Sequence, residues 1–212
     1  TFWGAGSGMN STGMTNAARI GFDREKLIYV TFGAAEEDMF PAGDAATGTY
    51  AMANALPGDQ FPLVQSIKEQ VYGAGKGNLA EDSRIGTVYW NRGLGAAVTY
   101  IEALRVAQEM HDKVGKAVTG AEFRAGYESL VMDDARLEEL GIKGMIAPFA
   151  MSCAENAGAG KFAMMQWDGT QFQQVTDWEE PLDPAYIRGL VEASAAKFAS
   201  ENGITPRECP AS

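Results

Sequence analysis

The sequence is poor in the residues that most often announce chemistry. Its 212 residues hold one histidine and two cysteines, so neither the paired imidazoles of an H-E-x-x-H zinc site nor a four-thiolate site can be assembled. Metalloenzyme readings lose most of their weight. Cys153 and Cys209 are far apart and show none of the C-x-x-C spacing of a redox or zinc motif. In a cytosolic protein two such thiols are usually inert and buried, and in an exported one they are usually bridged. Positive charge is also scarce: 17 Lys and Arg stand against 28 Asp and Glu, a net charge of −11. That balance repels phosphate backbones and anionic lipid, which argues against a nucleic-acid or membrane-surface role. No stretch approaches the roughly 18 consecutive apolar residues that span a bilayer, and no basic segment followed by an apolar one reads as a signal peptide. The chain opens on Thr1 rather than Met, which suggests a processed or truncated product.

What is present is material for a core. Apolar residues make up 46% of the chain and aromatics 10%, too rich for disorder, and at roughly 150 residues per domain the length suits one large domain or two small ones. Residues 1 to 60 read as β-α-β material beginning in mid-element. Thr1-Phe2-Trp3 resembles a strand end running into the cluster Gly4-Ala5-Gly6-Ser7-Gly8, after which Ser11 or Thr12 can cap a helix that Gly21 stops. Leu27 to Phe32 has strand length and β-branched and aromatic character, and Gly48 to Ala53 is a second such run. From 62 to 141 the pattern is helical. Pro62 suits a first helical turn, Gly86 to Met110 repeats apolar residues at steps of three and four, Thr119-Gly-Ala-Glu122 is a capping box, and a short helix spans Ala135 to Leu140. Strands are expected again at Gly144 to Ala150 and Lys161 to Trp167, where Asp168-Gly169 signals a hairpin into Thr170 to Val175. Asp183-Pro184 then opens a helix that Gly203 ends.

Chemistry-bearing motifs are few. The glycines from Gly4 to Gly8 match neither G-x-G-x-x-G nor G-x-x-x-x-G-K-[ST]. A strand-to-helix loop at the carboxyl edge of a sheet is nevertheless where α/β proteins place ligands, so Trp3, Gly4 and Ala5 are candidates for ligand contact, beside the plain reading of a tight turn next to a core tryptophan. Ser7 and Ser152 lack the G-x-S-x-G elbow, and His111, in the polar run Glu109-Met110-His111-Asp112-Lys113, reads as a solvated helix-end histidine rather than a catalytic base. The run Glu36-Glu37-Asp38 reads most cheaply as a surface loop, although Glu36 lies just past a strand end and can meet a ligand amine or hydroxyl. Tyr89-Trp90-Asn91-Arg92-Gly93, at the head of the long helix, is the most unusual cluster. Two aromatics, an amide and a guanidinium within five residues can stack on a ring and clamp a carboxylate, and they can equally supply core, caps and salt bridges.

Three segments taken together resemble a family. The run Gly33-Ala-Ala-Glu36-Glu-Asp-Met-Phe-Pro41-Ala-Gly43-Asp-Ala-Ala-Thr-Gly48-Thr-Tyr, the segment Val88-Tyr-Trp-Asn-Arg-Gly93-Leu, and Gln166-Trp-Asp-Gly169 followed by Thr176-Asp-Trp178 are similar to type I periplasmic solute-binding proteins of the branched-chain amino acid ABC transporter group. The resemblance implies an α/β fold of two Rossmann-like lobes that close on a small solute, with this chain as its C-terminal portion. Residues 1 to 58 then belong to the second lobe, 59 to 140 are a returning helical segment of the first, and 141 to 212 are the closing strands, hairpin and terminal helix of the second. Trp3, Gly4 and Ala5, Phe32 and Glu36, and Tyr89, Asn91 and Arg92 are the expected ligand-binding residues. No catalytic residue, metal or cofactor is expected. The expected function is the extracytoplasmic, periplasmic solute-binding subunit of an ABC importer, taking a small carboxylate such as an aromatic acid or a branched-chain or other apolar amino acid. Its expected partners are the solute, the membrane permease, and the missing N-terminal half or a second copy of the chain. A ligand-sensing domain of a receptor or regulator with the same fold, and a flavodoxin-like hydrolase, are the alternatives. Because the resemblance places the protein in an oxidising compartment, Cys153 and Cys209 are expected to form a disulfide.

Overall fold

A computed structural model describes residues 2–4, 8–23, 29–32, 34–79, 82–158 and 160–209; at residues 2–4, 32 and 82 it describes the backbone alone. Two hydrophobic clusters organise these residues. The first is built on a five-stranded sheet of order β1-β2-β3-β6-β7, in which β1 (Phe2–Gly4), β2 (Tyr29–Phe32) and β3 (Tyr50–Ala53) run parallel. β6 (Ala163–Trp167) pairs antiparallel with β3, placing Met165 opposite Ala51, and β7 (Phe172–Gln174) closes the edge. Strict alternation along β6 sends Ala163, Met165 and Trp167 inward, where they meet Met14, Tyr29 and Met39. The hairpin follows the turn chemistry read in the sequence. Gly169 takes φ 107°, and Asp168 accepts the N–H groups of Thr170 and Gln171 at 2.8 and 2.9 Å.

Helix α1 (Met9–Arg19) packs beside this sheet. It starts earlier than the Ser11 or Thr12 cap predicts, because Gly8, in the left-handed region, serves as N-cap and Ser11 lies inside the first turn, its hydroxyl donating back to the Gly8 carbonyl at 3.2 Å. The acidic run is not a surface loop. It forms a one-turn helix, α2 (Glu36–Met39), in which Glu36, Asp38 and Met39 are buried.

The second cluster gathers α3 (Pro62–Ile67), α4 (Val88–Met110), α5 (Gly120–Tyr127) and α6 (Asp134–Glu139) around Phe61, Val64, Val98, Leu130, Leu137, Ile142 and Met145. The segment Gly144 to Ala150 is not the full strand its composition predicts. Apart from an isolated bridge between Ile146 and Lys143, the pairing is confined to β5 (Phe149–Ala150), antiparallel to β4 (Val131–Met132). Gly144 takes φ 81° and Pro148 has no N–H to give a ladder, so the segment folds back and buries Met145 among the helices instead.

On α4 the buried face is Val88, Asn91, Gly95, Val98, Glu102, Ala103 and Ala107, while Tyr89, Tyr100, Ile101 and Leu104 are exposed. The small residues decide which side packs. Gly95 brings the helix against Ile146, and Gly126 of α5 meets the α4 backbone. Within this block Glu102, only 3% exposed, accepts from Arg136 at 2.7 and 2.8 Å and from Arg105 at 3.1 Å. α7 (Pro184–Glu201) is capped by Asp183, which accepts from Tyr186 N–H at 2.8 Å, and ends at Gly203 with φ 63°. Among the described residues no helix is long and apolar enough to cross a membrane.

A methyl group added at Gly126 would sit 2.5 Å from Ala107 N and 2.6 Å from Ala103 O, both backbone atoms of α4. Gly126→Ala is therefore expected to destabilise the fold by about 1–3 kcal/mol, read as a lower denaturant midpoint, whereas Gly120→Ala, which meets open space, leaves it unchanged.

Candidate functional site

The parallel strands β1, β2 and β3 end on one edge, at Gly4, Phe32 and Ala53, and the head of α4 meets the chain that follows β2. The joint is made of hydrogen bonds. Glu36 Oε2 accepts the Val88 N–H at 2.9 Å, Thr87 caps α4 and donates its hydroxyl to Glu37 Oε1 at 3.4 Å, and Tyr89 Oη donates to Asp38 Oδ2 at 2.7 Å. Asp38 Oδ2 also accepts the Ala35 N–H at 3.2 Å, which fixes the carboxylate that fixes Tyr89. Burial and the Asp38 carboxylate together push the Tyr89 hydroxyl up to about 12, so it stays protonated and donating at neutral pH.

Arg92 lies one turn further along α4, with its guanidinium carbon 5.3 Å from the centre of the Tyr89 ring. Its Nε is buried without a hydrogen-bond partner, and no carboxylate among the described residues pairs with it. An unpaired guanidinium held against an aromatic face presents its remaining donors as a fork for an incoming carboxylate. Arg92 also borders a cavity of about 400 Å³ whose walls include Tyr100, Tyr127, Phe149 and Met151.

The expected ligand-binding residues divide into three groups. Glu36, Tyr89 and Arg92 come together at the head of α4, although Glu36 borders a separate cavity of about 740 Å³ with Phe40, Asp59 and Thr87, and Arg92 faces the smaller one. Asn91 points the other way. It is fully buried, and its Nδ2 donates to the carbonyls of Leu56 and Gly58 at 2.8 and 2.9 Å, so it holds the segment that leaves β3. The backbones of Trp3, Gly4 and Phe32 lie in β1 and β2, while the side chains of Trp3 and Phe32, and Ala5 altogether, lie outside the described residues. Cys153 and Cys209 are joined in a disulfide, with Cα atoms 5.5 Å apart. His111 is the exposed C-cap residue of α4. Asp38 and the cavity wall formed by Tyr100, Tyr127 and Phe149 were not foreseen. Asp38 sits in a run whose charge reads as solvated, and the wall comes from three elements distant in sequence. No group of three or more metal-ligating side chains occurs among the described residues.

Burial raises the Glu36 carboxyl above its ordinary value, outweighing the Val88 N–H that favours the anion. The folded chain therefore holds this proton to higher pH than the unfolded chain does, and stability falls as pH rises through the interval between the two values. Glu36→Gln removes that titration. The melting temperature of Glu36→Gln relative to the natural protein is expected to rise as pH is raised above the ordinary carboxyl range; parallel melting-temperature profiles would show that Glu36 is not the group responsible.

No protein-family model and no curated protein matches the sequence. Solved structures do. A structure described as an ABC transporter permease from the Pseudomonas fluorescens group matches with a TM-score of 0.86 and 33% identity over 95% of this chain and 48% of that one. A branched-chain amino acid ABC transporter from Thermus thermophilus with bound valine matches with a TM-score of 0.63 and 20% identity over 85% and 44%. A solute-binding protein from R. palustris in complex with benzoate matches with a TM-score of 0.51 and 13% identity over 86% and 43%. The chain spans about half the length of each. The structural neighbours are type I periplasmic binding proteins of branched-chain amino acid ABC transporters, and these 212 residues build part of that fold.

Proposed function

We propose that this chain is part of the extracytoplasmic solute-binding subunit of an ABC importer and binds a small carboxylate with an apolar or aromatic body. The observation that carries the reading is Arg92, a guanidinium without a carboxylate partner, braced on the Tyr89 ring at the edge where the parallel strands end. The fold supports it, as do the valine and benzoate bound in two neighbours, both carboxylates on apolar bodies. A disulfide suits an oxidising compartment outside the cytoplasm.

In this reading residues 1–58 and 141–212 belong to one lobe and 59–140 to the other, and the solute lies between them. Arg92 holds its carboxylate, Tyr89 offers a face for its body, and Trp3, Gly4, Ala5 and Phe32 are its proposed contacts from the other lobe. Glu36 positions the helix that carries Arg92 rather than meeting the solute. Solute then favours the closed arrangement because it touches both lobes, and the closed form is what the membrane permease recognises. The exposed side of α4, with Tyr100, Ile101 and Leu104, is covered by the polypeptide that completes the two-lobed fold.

Titration calorimetry of the full protein carrying these residues is expected to show binding of benzoate or of valine and not of glucose. Arg92→Ala is expected to weaken that binding by about 1.5–3 kcal/mol, the worth of a charged hydrogen-bonded pair, with folding intact by circular dichroism. Equal affinity in the variant would overturn the role of Arg92, and binding of glucose alone would overturn the substrate class. Isolated, the 212-residue chain is expected to self-associate through the uncovered α4 side, and sedimentation as a 22.6 kDa monomer would contradict that covering role.

A further inference from the structure

The segment from Met151 to Ala163 does two things at once. It passes from the second hydrophobic cluster, where Met151 is buried, to the first, where Ala163 is buried, and on the way it supplies Met151, Asn156 and Lys161 to the wall of the Arg92 cavity. Little of its own secondary structure holds it. Met151 N–H donates to Leu130 O at 2.8 Å, and a small turn is closed by Ser152 N–H to Glu155 O at 2.7 Å and by Glu155 N–H to Ser152 Oγ at 2.9 Å.

At the far end of this segment Phe162 pairs with Glu179 through two backbone hydrogen bonds and Lys161 pairs with Glu180 at 3.1 Å; residues 152–158 are restrained from outside by the C-terminal end of the chain. Arg188 of α7 pairs with Glu155. The tail after Gly203 then runs to the helical block, where Arg207 donates to Glu128 Oε1 at 2.6 Å and to Cys153 Sγ at 2.7 Å, and Cys209 closes the disulfide onto Cys153. Among the described residues packing contributes little to holding α7: Ala199 is the one residue of the helix that they bury, and Tyr186, Ile187, Leu190, Val191 and Phe198 are exposed. Among the described residues it is the covalent bridge and the ion pairs that tie α7 and the tail to this segment.

We propose that the Cys153–Cys209 disulfide, with Arg188 and Arg207, is a positioning clamp for solute binding: it holds residues 151–158 where Met151 and Asn156 wall the Arg92 cavity and restrains one of the passages between the two clusters. The inference rests on the reading of Arg92 as the solute's carboxylate partner. Without the clamp, α7 and the tail drift from the segment, the wall samples more conformations, and solute binding must then order it, an entropic cost that appears as weaker affinity.

The test uses the full protein in three forms: oxidised, with Cys153→Ser and Cys209→Ser together, and with Arg188→Gln, which leaves the bridge intact. Amide hydrogen exchange is read in 151–158, in α7 and in β6. The double serine form is expected to exchange at least about 10-fold faster in 151–158 and in α7 with β6 unchanged, and to bind benzoate several-fold more weakly; Arg188→Gln gives a smaller change in the same direction. If the double variant fails to fold, oxidised protein treated with dithiothreitol, which converts the bridge to two thiols as the reagent closes to its cyclic disulfide, gives the same comparison. Unchanged exchange in 151–158, or faster exchange there with unchanged affinity, would overturn the clamp. Oxidised protein that binds neither benzoate nor valine, while the double variant still loosens 151–158, would overturn the solute reading and with it the binding role of the clamp, leaving a purely structural bridge.

Discussion

The head of α4 depends on one buried carboxylate. Glu36 Oε2 takes the first free N–H of that helix, Val88 N–H, at 2.9 Å, in a place that burial makes costly for a charge. A carboxylate suits a helix N-terminus, where unsatisfied N–H groups and the helix dipole both favour negative charge. Here that bond joins the two hydrophobic clusters. Val88 packs in the cluster of the sheet and Val98, three turns along, in the helical one. Asn91 adds a second tie by holding Leu56 and Gly58, so the strand-to-helix crossing and the helix head cannot shift independently. Tyr89 and Arg92 inherit their positions from this joint.

The interior electrostatics follow the same logic. Glu102 is nearly inaccessible, yet Arg136 and Arg105 satisfy it together and hold its carboxyl below the ordinary range although burial alone would raise it. Such a pair adds little net stability over an apolar replacement of the same shape, but it penalises any register in which α4 and α6 fail to align. Where all partners are internal, the group serves the fold. Arg92 differs because its fork is left open, and that difference between a satisfied and an unsatisfied guanidinium distinguishes a structural cation from a candidate ligand-binding one.

Much of the local structure was legible. The Asp168-Gly169 hairpin, the Thr119–Glu122 capping box and the Asp183-Pro184 start of the last helix all form as their residue types dictate, because each rests on hydrogen bonds between residues two or three apart. The acidic run was misread for a reason of the same kind. Three adjacent acids look solvated when nothing in the neighbourhood can neutralise them. Their partners, Val88 N–H, the Thr87 hydroxyl and the Tyr89 hydroxyl, arrive from about fifty residues downstream. Asn91 was placed with the ligand residues by its neighbours in sequence, yet the helical period turns it inward while Arg92 faces the cavity.

By itself the sequence determined the caps of α5 and α7, the Asp168-Gly169 turn and, through the resemblance its motifs carry, the fold class and the pairing of its two cysteines. The tertiary structure alone decided which side of α4 is buried, which acids lose water, and that the Arg92 guanidinium sits against the Tyr89 ring with no carboxylate partner among the described residues. The division has a physical basis: caps and turns are settled by backbone groups within one turn of one another, whereas burial and charge pairing are settled by whichever distant element packs across them.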